Sequence, residues 1–215
     1  MTAAPVIIAV DGPAAAGKGT LARRLAQALS LPYLDTGLLY RAVARRVLDA
    51  GRDPSAPGAE AEAHALAPSD LDRTDLRTPE VDRAASLVAA QPAVRAALIE
   101  VQRRFGRESG AVLDGRDIGT VIFPDATVKL YITASPLTRA RRRWAQGLDV
   151  APVDGDQTAH IEAVAAQLAA RDAADSARAV APLRPAADAV VIETDAMDAE
   201  TVLAKALQVV RTRLA

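Results

Sequence analysis

The sequence predicts an α/β domain in which a five-stranded parallel sheet carries helices on both faces. Three observations predict it. Short apolar, β-branched runs recur at residues 6–10, 32–34, 111–113, 128–132 and 189–192, each ending in polar or glycine residues, the pattern of strands buried on both faces. Between them apolar residues fall at helical spacing: Leu21, Leu25 and Leu29, then Leu39, Val43 and Val47, then Val94, Leu98 and Val101. Strands alternating with helices give parallel pairing, because each crossover must carry the chain back along the sheet. The first run also leads straight into a glycine-rich segment, Asp11-Gly12-Pro13-Ala14-Ala15-Ala16-Gly17-Lys18-Gly19-Thr20, and then into a helix.

The spacing is uneven. Roughly 75 residues separate the second run from the third, several times what one crossover helix needs, so an insert is expected over about 37–109. Residues 53–68 are rich in Ala, Pro, Ser and Gly and read as a loose leading loop. Segments 79–90 and 92–107 each open on proline and read as helices. A second irregular stretch, 147–156, with Gly, Pro and Asp clustered, reads as a mobile surface loop opening a lid region over about 147–178. The core then comprises about 1–36, 110–146 and 179–215.

Composition narrows the function. The 215 residues suffice for one core with an insert. Twenty-six basic against twenty-seven acidic residues leave a formal charge of -1, which removes any global reason to expect nucleic acid or an anionic membrane as partner. Aromatic residues make up 3%, too few to build stacking platforms for single strands. Without cysteine, disulfides, zinc-thiolate sites, iron-sulfur clusters and thiol nucleophiles are excluded. The run 6–10 has no basic residue ahead of it and is too short for a signal peptide or a membrane span. A cytoplasmic monomer is expected.

Gly12, Gly17 and Lys18 stand at the spacing of a phosphate-binding P-loop, in the strand-to-helix context that such a loop requires. Backbone N–H groups from Gly12 to Thr20, Pro13 having none, would line one concavity, the helix N-terminus would add its positive end, and Lys18 would follow charge on the β- and γ-phosphates. Lys18, Lys129 and Lys205 are the only lysines, so one in this loop is no accident of composition. Gly19 follows the lysine where a magnesium-binding hydroxyl usually stands, and Thr20 comes one residue later. Thr20 is the candidate metal contact, directly or through water.

Other charged clusters fall at strand ends or on helices. Thr36 and Arg41 follow the second strand, at the carboxyl end beside the P-loop where ligands of parallel sheets bind. Asp114-Gly115-Arg116-Asp117 follows the third. Asp114 either orders magnesium through water or fixes the turn. Arg171, Asp175 and Arg178 fall at i, i+4 and i+7, so they are expected on one helix face, two arginines aimed at a transferring phosphoryl group. Arg139, Arg141, Arg142 and Arg143 beside Trp144 read as a solvated helix face from which one arginine touches ATP. His64 and His160 lie in exposed-looking helical segments and are not assigned catalysis.

Together these pieces resemble the bacterial cytidylate kinase family over nearly the whole chain. The shared segments are Gly12-Pro13 through Gly17-Lys18-Gly19-Thr20, Asp35-Thr36-Gly37 with Tyr40-Arg41, Arg77-Thr78-Pro79-Glu80-Val81, Ala85-Ser86, Pro92-Ala93-Val94-Arg95, Asp114-Gly115-Arg116-Asp117 to Phe123-Pro124-Asp125-Ala126, and Arg171 to Leu183. The resemblance implies a P-loop NTPase fold with a mostly helical monophosphate-binding insert and a short lid, ATP and Mg2+ on the loop, and transfer of phosphate to CMP or dCMP. By the same resemblance Arg41, Arg116 and Arg178 would grip the α-phosphate, Asp175 would contact the sugar, and Ser86, Arg95 and Asp117 would read cytosine. Lys18, Arg171 and Arg178 would stabilise the transfer. The family usually has Ser at Thr36, Ser-Gly at Ala14-Ala15, and a small antiparallel sheet where 54–75 shows no β-alternation. A kinase for another small acceptor, such as a different monophosphate or shikimate, and a non-enzymatic P-loop switch remain the alternatives.

Overall fold

A computed structural model describes residues 5–146 and 156–214. Five strands form one parallel sheet: β1 (Ile7–Asp11), β2 (Tyr33–Asp35), β3 (Ala111–Asp114), β4 (Val128–Thr133) and β5 (Val190–Glu193), ordered β2-β3-β1-β4-β5. Each falls within a residue or two of its expected place. Around them lie α1 (Lys18–Leu29), α2 (Thr36–Asp49), α3 (Glu60–His64), α4 (Pro68–Leu71), α5 (Pro79–Val88), α6 (Pro92–Ser109), α7 (Pro136–Ala145), α8 (Gln157–Ser176) and α9 (Ala199–Leu214).

Strand β1 is central and wholly buried, and its alternation explains the two-faced core. Ile8 and Val10 face Leu21, Ala22 and Leu25 of α1 and Val202, Ala206 and Val210 of α9. Ile7 and Ala9 face the opposite way, onto Ile118, Ile122 and Phe123. Because β3 and β4 flank β1, the strand order reverses direction there, and the crevice at the C-terminal end of β1 is where such sheets bind ligands.

The insert has its own apolar core. Leu39, Val43 and Val47 of α2 pack on Val81, Ala85 and Val88 of α5 and on Val94 and Leu98 of α6. Thr78 caps α5 by accepting from Val81 N at 3.2 Å, with Pro79 at the first helical position. The stretch 53–68 is more ordered than its composition suggests. Ala63 of α3 is buried in the insert core, and the Gln91 side chain donates to Pro54 O at 2.8 Å. Among the described residues of 54–75 there are the short helices α3 and α4 and no strand. Ion pairs tie this region to α2: Arg46 with Glu62 at 2.9 Å and with Asp70 at 3.3 Å, and Arg73 with Asp49 at 2.6 Å. The surface loop expected at 147–156 lies outside the described residues as far as 155.

Candidate active site

The chain leaves β1 at Asp11 and turns back over the sheet. At Gly12 any Cβ would lie 2.0 Å from Ile132 O, so only glycine fits. Ala15 (φ 60) and Gly17 (φ 92) adopt left-handed conformations, the kind of backbone turn from which successive N–H groups make an anion-binding concavity. Ala15 holds a conformation that costs an L-residue about 1–2 kcal/mol. Ala14 packs with Ala140 of α7 and with Val164 and Leu168 of α8, an apolar contact that serine would make less well. Helix α1 begins at Lys18 and presents its N-terminus to the loop.

Lys18 is buried, donates to Pro13 O at 2.7 Å and stands 3.9 Å from Asp114 Oδ1. Burial, followed by the nearby Arg116 charge, pushes its ammonium down to about 7. Asp114 moves upward, chiefly through burial. Asp11 is buried too, accepting from Ile118 N at 2.8 Å and Gly119 N at 2.7 Å, and burial lifts its carboxyl to about 7. It thereby anchors the π-helical turn Ile118–Ile122 that follows Arg116 and Asp117.

A cavity of about 350 Å³ opens between the loop, the insert and α8. It is lined by Ala14, Ala15, Gly17, Lys18, Gly19 and Thr20 on one side and by Thr36, Arg41, Ser86, Arg95, Arg116, Asp117, Arg171, Asp175 and Arg178 on the other. Every sequence-predicted site residue lies on this wall except Gly12, Pro13 and Ala16, the last of which lines a second cavity. That one, about 270 Å³, lies past Gly17 and Thr20 among Leu21, Arg24, Arg142, Met197 and Val202.

Within the main cavity acids hold the arginines in place. Arg41 donates through Nε and Nη2 to Asp82 Oδ1 at 2.9 and 2.7 Å. Asp175, 3% exposed, meets Arg178 at 2.5 Å and Arg116 at 3.5 Å. Arg95 and Asp117 form a buried ion pair, and Arg95 also lies over the Tyr40 ring at 5.5 Å. Thr36 Oγ1 donates to Asp114 O at 2.8 Å and Ser86 Oγ to Asp82 O at 3.3 Å. Burial lowers the Arg171 guanidinium to about 10, with Arg116 adding to it, and lowers Arg178 as well. Arg171 Nε is buried with no hydrogen-bond partner. So dense a set of partly desolvated cations is the environment that an anion stabilises.

Three expectations are corrected. Arg171, Asp175 and Arg178 do not share a helix face, because α8 ends at Ser176; the turn beyond it returns Arg178 to Asp175. The arginines of α7 are not a solvated face either. Arg139 is 2% exposed, Arg142 donates to Thr194 Oγ1 at 2.9 Å, and of the four only Arg141 is exposed. His64 is exposed as expected, whereas His160 is partly buried, edge-on to Trp144 at 5.6 Å. Sequence reasoning missed Asp82. Its one signal was its position four residues before Ser86, on the same face of α5.

Among the described residues no group of three His, Cys, Asp or Glu converges as a metal site. The side-chain oxygens on this part of the cavity wall include the exposed Thr20 hydroxyl and the buried Asp114 carboxylate, the latter 3.9 Å from Lys18 and next to Gly19. This set does not make a metal cage. It fits a magnesium ion that takes most of its ligands from nucleotide phosphates and water.

The family model described as cytidylate kinase matches residues 8–212. A cytidylate kinase from Acidiphilium cryptum (strain JF-5) is 58% identical over 212 residues, covering 98% of each chain. One from Granulibacter bethesdensis is 58% identical over 209 residues, 97% of this chain and 98% of that protein. Among solved structures, TT1252 from Thermus thermophilus aligns over 99% of both chains with a TM-score of 0.50 at 22% identity, which speaks to the fold alone. With the P-loop and the arginine-lined cavity in one crevice, and a family model spanning almost the full length, the chain belongs to the cytidylate kinase family.

Proposed function

We propose that the protein transfers the γ-phosphoryl group of ATP to CMP or dCMP, giving ADP and CDP or dCDP. The observation that carries this reading is the buried Arg95–Asp117 pair, set in the same cavity as Lys18 and the arginine cluster. Cytosine offers an N4 amino donor beside the N3 and O2 acceptors, and a carboxylate next to a guanidinium complements that edge. Ser86 stands on the same wall. Arg41, Arg116 and Arg178 hold the acceptor phosphate, Thr36 supports that side, and Asp175 takes the sugar. We assign residues 37–109 to the acceptor and the core to the donor, whose base enters the second cavity beyond Thr20.

In the transfer, an oxygen of the acceptor phosphate attacks the γ-phosphorus. The bond to the β–γ bridging oxygen breaks, and the electron pair leaves with ADP. That acceptor oxygen is ionised at neutral pH, so no general base is required, and alignment and charge stabilisation supply the catalysis. Lys18 follows the charge on the γ-phosphate, and Arg171 with Arg178 faces the equatorial oxygens from the other side. Thr20 is the residue that would hold Mg2+ on the nucleotide, and the ion would supply neutralisation of the phosphate charge. No single described helix is long and apolar enough to cross a membrane, and we place the protein in the cytoplasm as a monomer acting on free nucleotides.

The test is ADP formation from ATP and magnesium with CMP, dCMP, UMP, AMP and shikimate as separate acceptors. Rapid turnover with CMP and dCMP is expected, with UMP slower because its O4 meets the Asp117 carboxylate. Equal rates with UMP would remove the base-reading assignment, and no turnover with any acceptor would favour a P-loop switch.

A further inference from the structure

Arg139 is the largest fully buried side chain among the described residues, and it does not line the nucleotide cavity. Its three guanidinium nitrogens donate into three different segments. Nε reaches Ala134 O just after β4 at 3.0 Å, Nη1 reaches Ala14 O in the P-loop at 3.0 Å, and Nη2 reaches Asp172 Oδ2 on α8 at 2.5 Å. A buried guanidinium is costly unless its donors are used, and here the fork is satisfied only when loop and helix sit at one fixed separation. A second contact joins the same two elements, since Ala14 packs against Val164 and Leu168 of α8. Asp172 directly follows Arg171, whose own Nε has no partner to orient it. The placement of Arg171 is therefore inherited from its helix.

We infer that Arg139 is a positioning residue for phosphoryl transfer, fixing through Ala14 and Asp172 the separation between the loop that carries Lys18 and the helix that carries Arg171. The inference rests on the proposed kinase function and adds to it a bond that touches neither nucleotide. Lysine at this position would keep the charge but could not span three acceptors.

The experiment compares kcat and KM for wild type, Asp172→Asn, Arg139→Lys and the double variant, with ATP, magnesium and CMP, at a temperature where circular dichroism shows each folded. Each single change is expected to lower kcat by roughly 10²-fold, the scale of a misplacement near 1 Å. The KM for ATP should move less than about threefold, because the loop's own N–H groups still hold the phosphates. The double variant should be no slower than the worse single, because Arg139→Lys already disrupts the bond to Asp172 that Asp172→Asn alters. Asp172 is partly exposed, so Asp172→Asn keeps the test open if Arg139→Lys fails to fold. A folded Asp172→Asn variant with wild-type kcat and only a lower melting temperature would overturn the inference. So would independent, multiplying losses in the double variant. A wild-type protein silent with CMP would instead remove the proposed function, and this inference with it.

Discussion

Asp11 has a more demanding place than its position in the sequence suggests. It ends the central strand one residue before the phosphate loop, yet its carboxylate is spent on the N–H groups of Ile118 and Gly119, just past the turn bearing Arg116 and Asp117. One buried side chain thus fixes the turn bearing Arg116 and Asp117 relative to the P-loop. Facing it are Asp117, which raises its carboxyl further, and Lys18, which lowers it; the net result is a value near 7 dominated by burial. The sign of the linkage follows. Between about 4 and 7 the folded protein holds a proton at Asp11 that the unfolded chain has released, so this group's contribution is full at low pH and is lost as pH rises through 7. The slope cannot exceed one proton, about 1.4 kcal/mol per pH unit. The stability of wild type relative to Asp11→Asn, from urea midpoints, is therefore expected to fall between pH 5 and 7.5 and then level off. Parallel pH profiles for the two proteins would contradict it.

At the scale of elements, α6 links the insert to the sheet. Its first turns carry Arg95 and pack Val94 and Leu98 into the insert core, and its last turns press against the turn after β3. Gly106 permits that second contact. A Cβ there would lie 2.6 Å from Phe123 Cζ and 3.0 Å from Ile7 Cδ1. Helix propensity alone favours Gly106→Ala by about 1 kcal/mol, but overpacking costs about 1–3 kcal/mol, so the crowding should win. The variant is expected to unfold at a lower denaturant midpoint than wild type, and a midpoint at or above wild type would show that α6 can shift without cost. Helix α7 teaches the complementary lesson. Its arginines are legible as a helix, but periodicity does not say which side is covered, and the cover, α8, arrives some way along the chain. Arg139, buried against Asp172 of α8, could not be read as buried from local sequence for that reason.

At the scale of the molecule, what was legible follows from how local the signal is. The strand-to-helix context and the spacing of Gly12, Gly17 and Lys18 compress the whole donor loop into ten residues, and the strands announce themselves as unbroken apolar runs. Asp114 to Asp117 was legible because charge at a strand end is costly without a use. Asp82, Arg139 and the anchoring of the acceptor turn by Asp11 were not, because each is defined by partners tens of residues away. The insert shows the same limit, since ion pairs such as Arg46 with Glu62 and Arg73 with Asp49 stand where the family resemblance implies a small sheet.

The sheet, the insert and α8 bring acids and arginines from five segments around one cavity, and the Arg95–Asp117 pair joins the insert to the sheet within it. The most direct measurement is the ratio of kcat/KM for CMP over UMP in wild type and in Asp117→Asn. Leaving a buried carboxylate against uracil O4 costs about 1–3 kcal/mol, and an asparagine amide can donate to that oxygen. The proposed cytosine reading therefore predicts a wild-type ratio well above one that falls by about tenfold or more in Asp117→Asn. A ratio unchanged by the substitution, with both proteins folded and active, would contradict it.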